Sequence, residues 1–445
     1  MTTKALYEIF KQYPRVTTDS RNCPSQSLFF ALKGDNFNAN AFAAAALDKG
    51  CAYAIIDEQQ YALDARYIVV KNVLSTLQDL ARYHRKKLVT KLLAITGTNG
   101  KTTTKELIAS VLSEKYNVLY TQGNLNNHIG VPLTLLQLTS DHDIAIIEMG
   151  ANHLHEIKFL AEIACPDYGI VTNVGKAHIE GFGSFEGIMQ TKGELYDYLA
   201  HHGNGIFRNT DNENLNKMAT KAGFGRDDNR QQTYSLSDNL QEDVSEEKPD
   251  IHGKIISCSP FLNMRCYTNS AEKSFEIATK LIGAYNAENV LAAIAIGHYF
   301  DVSNEQIKHG LENYEPKNNR SQLTLTKRNQ LVIDAYNANP TSMRAAIDNF
   351  AQMHVPNKYL ILGDMLELGN STASEHQIII DILTHYQFED VLLIGQNFGQ
   401  TNHNFIHFEK VDEAYNYFKI NILSNKFILL KASRGIHLEK LFELL

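Results

Sequence analysis

The chain has 445 residues, 44% of them hydrophobic and 21% charged, with a net charge of −8. That length predicts about two to four domains, and the acidic balance argues against a nucleic-acid partner. Five scattered cysteines (Cys23, Cys51, Cys165, Cys258, Cys266) contain no Cys-x-x-Cys, so neither a disulfide framework nor a zinc site is expected, and a cytoplasmic location is.

The N-terminus, MTTKALYEIFKQYP, lacks a basic region followed by an apolar core, so no secretory signal is expected. Apolar runs such as AIIEM and FILLKA are strand-sized, so no transmembrane segment is expected either. Residues 1–84 form a first block, with strand-like runs SLFFAL, YAIID and YIVV and the helical stretch LSTLQDLARYHRKKL at its end. A second block, 85–314, opens with the strand KLLAIT and continues through NVLYT, DIAIIEM and YGIVTNV, alternating with helices as a parallel α/β sheet does. The polar, acidic tract 223–250 reads as an exposed excursion. After the linker YEPKNNR, with Pro316 as an expected hinge, a third block, 315–445, carries LVIDAY, YLILGD, DVLLIG and FILLKA as strands of a second α/β unit.

The chemistry begins at AITGTNGKTTTKE, 94–106. A buried strand ends at Gly97, a short loop through Thr98 and Asn99 follows, and Gly100 leads into a helix with apolar residues at 107, 108, 111 and 112. Glycines let successive backbone N–H groups face phosphate oxygens, and the helix N-terminus favours an anion. Lys101 would reach the β/γ-phosphates, and the Thr102 hydroxyl would face Mg²⁺. The full phosphate-loop pattern wants glycine where Ile95 stands, so the motif alone reads equally as a plain strand–turn–helix. Glu148 ends the strand DIAIIEM, and His178 follows YGIVTNV closely; open sheets bind ligands at that edge, and a carboxylate there suits Mg²⁺. Taken singly, each reads as a solvated surface residue. Lys192 lies within the helical apolar stripe Phe185, Ile188, Met189, Leu195, Tyr196 and Leu199. It either snorkels or is desolvated, and a desolvated neutral lysine can add carbon dioxide to give an anionic carbamate.

GTNGKTTTKE, TQGNLNNHIGVPLTLL, IIEMGANHLHEIKFL, NVGKAHIEGFGSFEGIMQTKGE, GAYNAENVLAA, DAYNANPTSM, LGDMLELG and KASRG resemble, in order and spacing, the Mur ligases. The resemblance spans nearly the whole chain, and the family loop has the short form seen here, without the glycine at 95. It implies a three-domain α/β architecture: an N-terminal UDP-sugar-binding domain, a central phosphate-loop ATPase domain with a parallel sheet, and a Rossmann-like C-terminal domain. DAYNANP and LGDMLELG look most like the branch that joins D-alanyl-D-alanine to UDP-N-acetylmuramoyl-tripeptide, rather than the diaminopimelate/lysine-adding branch or folylpolyglutamate synthase. The resemblance further implies ATP and Mg²⁺, a monomer, and cytoplasmic peptidoglycan precursor synthesis.

Residue by residue, it implies that the loop Gly97–Thr103 (with Thr98, Asn99, Gly100, Lys101, Thr102 and Thr103) holds ATP. Thr102, Glu148, His178 and a carbamylated Lys192 serve the metals, with Lys101, His178 and Lys192 acting in catalysis. Asn286 and Asn289 match the adenine contacts, although Tyr285 stands where many members have histidine. Arg320 and Asp334 match groups that approach the nucleotide. Ser20 and Arg21 match uridine-diphosphate contacts, Asn126 and Asn127 face the muramoyl peptide, and Lys431, Ser433 and Arg434 lie near the incoming amine. Without the resemblance, Asn286 reads as a helix cap, Asp334 as a turn residue and Arg320 as a linker charge. A dinucleotide-dependent oxidoreductase is disfavoured, since GFGSFEG has Glu186 where Gly-x-Gly-x-x-Gly needs its last glycine.

Overall fold

Apolar strands separated by amphipathic helices build three main sheets, one in each sequence block. The computed structural model describes residues 1–176, 179–225, 228–236, 249–268, 274–316 and 319–445. The three expected strands of the first block, joined by the unexpected Arg15–Thr17, form a four-stranded parallel sheet in the order Arg15–Thr17, Ser27–Phe30, Tyr53–Ile56, Tyr67–Val69. The helix Val73–Arg85 follows, started by the Asn72 side chain, which accepts a hydrogen bond from the Ser75 N–H. It buries Leu77, Leu80 and Ala81 in one core that joins Leu28, Phe30 and Ile55 of the first sheet to Leu92, Ala94 and Ala145 of the next.

The second sheet has nine strands. At its centre Lys91–Thr96 runs parallel to Ile144–Glu148 on one side and Tyr168–Val171 on the other, pairing Ile95 with Glu148 and Thr96 with Val171. Three carboxyl ends therefore meet at one edge. All three strands are almost wholly buried, as expected of a parallel sheet covered on both faces. The helix Lys101–Leu112 seats Leu107, Ile108, Val111 and Leu112 with no exposure, each worth about 2 kcal/mol of burial.

The expected exposed excursion at 223–250 needs correction. Its residues Gln231–Leu236 are a strand inserted between Gly205–Asn209 and Ile251–Cys258. Thr233, Tyr234 and Ser235 are buried; Asp250 accepts from Thr233, and Asp211 from Ser235, so polar side chains sit inside with partners. Residues 226, 227 and 237–248 of the tract lie outside the described residues. The sheet is also not wholly parallel: Ile251–Cys258, Phe261–Thr268 and Phe275–Ile282 extend it as an antiparallel meander.

The third sheet has the order Gln322–Leu325, Gln330–Asp334, Phe427–Lys431, Lys358–Gly363, Val391–Ile394, Ile406–Phe408, parallel after its first pair. Separate apolar clusters cover its two faces, the layered arrangement expected of a Rossmann-like unit. Of the linker Tyr314–Arg320, residues 317 and 318 lie outside the described residues. Among the described residues no helix is long and apolar enough to cross a membrane.

Candidate active site

The loop after Thr96 turns where only glycine fits. Gly97 has φ +141°, and a Cβ there would lie 2.0 Å from Thr172 Oγ1; Gly100 has φ +78°, with Asn289 Oδ1 at 2.7 Å from its would-be Cβ. Neighbouring loops then pin the intervening residues. The N–H of Thr98 donates to the Asn173 carbonyl and that of Asn99 to Asn173 Oδ1, both at 3.0 Å. Thr172 Oγ1 donates to the Asn99 carbonyl at 2.7 Å, and the Gly175 N–H donates to Thr98 Oγ1.

Lys101, Thr102 and Glu148 meet as expected. Lys101 Nζ folds back to donate to the Gly97 and Thr98 carbonyls, at 2.7 and 3.0 Å. Burial pulls its pKa down to about 8, against the attraction of Glu148 and with help from the nearby Arg320 charge. Thr102 Oγ1 donates to Glu148 Oε2 at 3.0 Å. Glu148 is only 2% exposed, and Asn126 Nδ2 donates to its other oxygen at 2.8 Å. Asn126 is thus tied to Glu148, and Asn127 Oδ1 accepts from the N–H groups of Ile129 and Gly130 at the start of the next helix.

A cation missed by sequence reasoning completes this group. Lys105, fully buried, places Nζ 3.6 Å from Glu148 Oε2. The signal existed: Lys105 interrupts an apolar helix face just as Lys192 does.

Lys192 is desolvated, as one of its two readings required. It is 3% exposed in the helix Phe185–His202, 5.6 Å from the centre of the Phe182 ring. Burial first, then the positive Lys101, drives its pKa well below the lysine range. His178 lies outside the described residues. Among the described residues no three His, Cys, Asp or Glu side chains gather to hold a metal. The donors present, one carboxylate and one hydroxyl beside a phosphate loop, form a hard oxygen set. That set suits Mg²⁺, which usually takes one or two carboxylates and completes its shell with water and substrate phosphate.

The remaining expected residues divide. Asn286 occupies the helix-cap position without a side-chain capping bond; its Nδ2 donates instead to the Ile282 carbonyl. Asn289 Nδ2 donates to Asn286 Oδ1, while Asn289 Oδ1 accepts from Thr104 and backs Gly100. Both amides border the cavity yet spend these groups on its wall. Beside them the Tyr285 hydroxyl pairs with Ser321 Oγ at 2.9 Å. Asp334 and Lys431 are opposite partners on adjacent strand ends and form an ion pair at 2.5 Å. Ser433 accepts from the Leu366 N–H and donates to the Ala338 carbonyl. Arg21 grips Asp19 with two hydrogen bonds of 2.9 Å, which holds the Asp19 carboxyl down at about 2. Ser20 and Arg21 lie in the turn between the strands Arg15–Thr17 and Ser27–Phe30 and do not border the cavity at the loop.

That cavity, about 840 Å³, brings the loop 97–103, Asn126, Asn127, Glu148 and Lys192 of the central sheet opposite Arg320, Asp334 and Lys431. Asn339 crosses the gap, its Nδ2 donating to Asn99 Oδ1 at 2.7 Å.

Comparison with known proteins gives matches along most of the chain. The Mur ligase middle domain matches residues 95–297, and the Mur ligase, glutamate ligase domain matches 319–434. The UDP-N-acetylmuramoyl-tripeptide–D-alanyl-D-alanine ligase of Bacillus subtilis is 33% identical over 446 residues, covering 96% of this chain and 92% of the relative. The ligase of the same name from Escherichia coli is 34% identical, covering 86% and 81%. A crystal structure of MurF from Acinetobacter baumannii superposes with a TM-score of 0.81 at 30% identity, covering 96% and 92%.

Proposed function

The chain belongs to the Mur ligase family, and from that premise we propose that it joins D-alanyl-D-alanine to UDP-N-acetylmuramoyl-tripeptide by an ATP-driven amide bond. The observation that carries this reading is one cavity in which a phosphate loop, a buried carboxylate and a desolvated lysine face a partly buried ion pair on the next sheet. The terminal carboxylate of the peptide attacks the γ-phosphorus of ATP, the bond to ADP breaks, and an acyl phosphate forms. The dipeptide amine then adds to that carbonyl, inorganic phosphate leaves, and the surplus amine proton is released.

Carboxylate and triphosphate repel, so the chain must supply positive charge where they meet. Lys101 exchanges its two carbonyl partners for phosphate oxygens. Thr102 and Glu148 would hold Mg²⁺, with His178 joining them as in the family; the ion supplies charge neutralisation on the phosphoryl oxygens. Burial lowers the Lys192 pKa and so favours the neutral amine, the state in which its nitrogen can bond to carbon dioxide, lose a proton and become an anionic carbamate. We assign Asn286 and Asn289 to the adenine side, and Arg320 and Asp334 to the nucleotide. Ser20 and Arg21 are assigned to the uridine diphosphate, Asn126 and Asn127 to the muramoyl peptide, and Lys431, Ser433 and Arg434 to the amine side. We set domain boundaries near residues 84 and 314, and take the enzyme to be a cytoplasmic monomer.

The test is phosphate release with UDP-muramoyl tripeptide, ATP, Mg²⁺ and D-alanyl-D-alanine, omitting one component at a time. Full release should require all four. Release that runs at full rate without the dipeptide, or that prefers a single amino acid in its place, would sink the assignment.

A further inference from the structure

Two guanidinium groups share one aromatic ring at the border of two cavities. Arg320 Cζ lies 3.7 Å from the centre of the Tyr336 ring, and Arg434 Cζ lies 5.6 Å from it. Among the described residues neither has a carboxylate within 4.0 Å, and Arg320 Nε is buried without a hydrogen-bond partner. Two cations beside one ring repel unless anions join them. The two cavities say where those anions belong. Tyr336 and Arg320 line the large cavity at the phosphate loop, and Arg320 is close enough for its charge to be felt at Lys101. Arg434 lines a smaller cavity of about 120 Å³ that shares Asn337 and Asn339 with the first.

A guanidinium stacked on a ring keeps its in-plane N–H groups free for two-point contact with phosphate or carboxylate. We propose that Tyr336 is a positioning residue whose ring aligns both guanidiniums, Arg320 for the nucleotide phosphates and Arg434 for the carboxylate of the amine substrate. This rests on the ligase reading and deepens it: one side chain, itself without charge, sets the affinity for both small substrates. Loss of the ring should weaken both sites together while leaving Lys101, Glu148 and Lys192 in place.

The experiment is steady-state ligation with ATP and D-alanyl-D-alanine varied separately, for the wild type, Tyr336→Ala and Tyr336→Phe. In Tyr336→Ala the KM for ATP should rise about fivefold to thirtyfold, the range of a desolvated cation–ring contact, and that for D-alanyl-D-alanine about twofold to fivefold, since Arg434 is exposed, with a smaller change in kcat. Tyr336→Phe keeps the ring and should recover most of both losses, which a merely space-filling role for the hydroxyl would not give. Should the alanine variant fail to fold, Tyr336→Leu fills the space without a π-face and should show the same double rise. A rise in only one KM, in neither, or a fall confined to kcat overturns the proposal while ligation by the wild type upholds the ligase reading. Absence of ligation by the wild type overturns that reading and the proposal with it.

Discussion

At the scale of single residues, charge in a dry site decides the behaviour. Lys101 is the cation best placed to meet a phosphate, since it rests on loop carbonyls that a nucleotide would displace. Removing one such donor typically costs about 3–4 kcal/mol, so Lys101→Ala should lose at least a hundredfold in kcat/KM while its circular dichroism and melting stay near wild type. Near-normal ligation by that variant would refute the role. Lys105 makes a different prediction, about stability. It is the ion-pair partner of a carboxylate that is itself 2% exposed, and stripping one member of a buried pair costs about 3–5 kcal/mol. Lys105→Met should therefore lower the denaturant midpoint markedly, and Lys105→Met with Glu148→Gln should recover much of the loss. Equal midpoints for the wild type and Lys105→Met would show the pair to be immaterial.

At the scale of elements, helices and loops earn their positions through a few polar anchors. The helix Thr372–His385 holds the segment LGDMLELG by one fully buried imidazole, His376. Its Nε2 accepts from the Met365 N–H at 3.0 Å, so the proton sits on Nδ1, which donates to the Thr372 carbonyl at 2.7 Å. Burial holds its pKa below 6.5, despite the raising influence of the Thr372 carbonyl and Asp364. The unfolded imidazole titrates near 6.5, so below that pH the unfolded chain binds more protons and stability falls until the folded group protonates too. His84, His252, His298 and His403 are shifted the same way, chiefly by burial. Chemical unfolding should show stability falling from pH 7.5 to 5.5, with His376→Gln flattening the slope by up to about 1.4 kcal/mol per pH unit. A slope unaltered in that variant would contradict this account.

At the scale of the molecule, the cavity is built by two sheets that the chain reaches separately. Among the described residues two polar contacts cross the gap at the loop: Asn339 to Asn99 at 2.7 Å, and Lys176 to Glu375 at 3.7 Å between an exposed lysine and a largely buried acid. An acyl phosphate hydrolyses readily in water, so substrates should draw the two sides together before chemistry proceeds. Scattering profiles with and without an ATP analogue and UDP-muramoyl tripeptide should differ, the liganded form having the smaller radius of gyration. Profiles that overlay completely would leave closure without support.

Sequence by itself determined the three α/β blocks, because hydrophobic period and glycine placement act locally. SLFF, KLLAIT, AIIE and FILLK are strands as read, and Gly97 and Gly100 carry the backbone angles that a turn into a helix demands. It also marked Lys192, since a lysine inside an apolar stripe can be seen without coordinates. The strand Gln231–Leu236 was illegible, its polar side chains being satisfied by Asp211 and Asp250, which only the folded sheet brings near. The same holds for Lys105 beside Glu148, for Asp334 paired with Lys431, and for Tyr336 between two arginines. Each depends on contacts between residues from under twenty to nearly a hundred positions apart, and tertiary packing alone sets those distances.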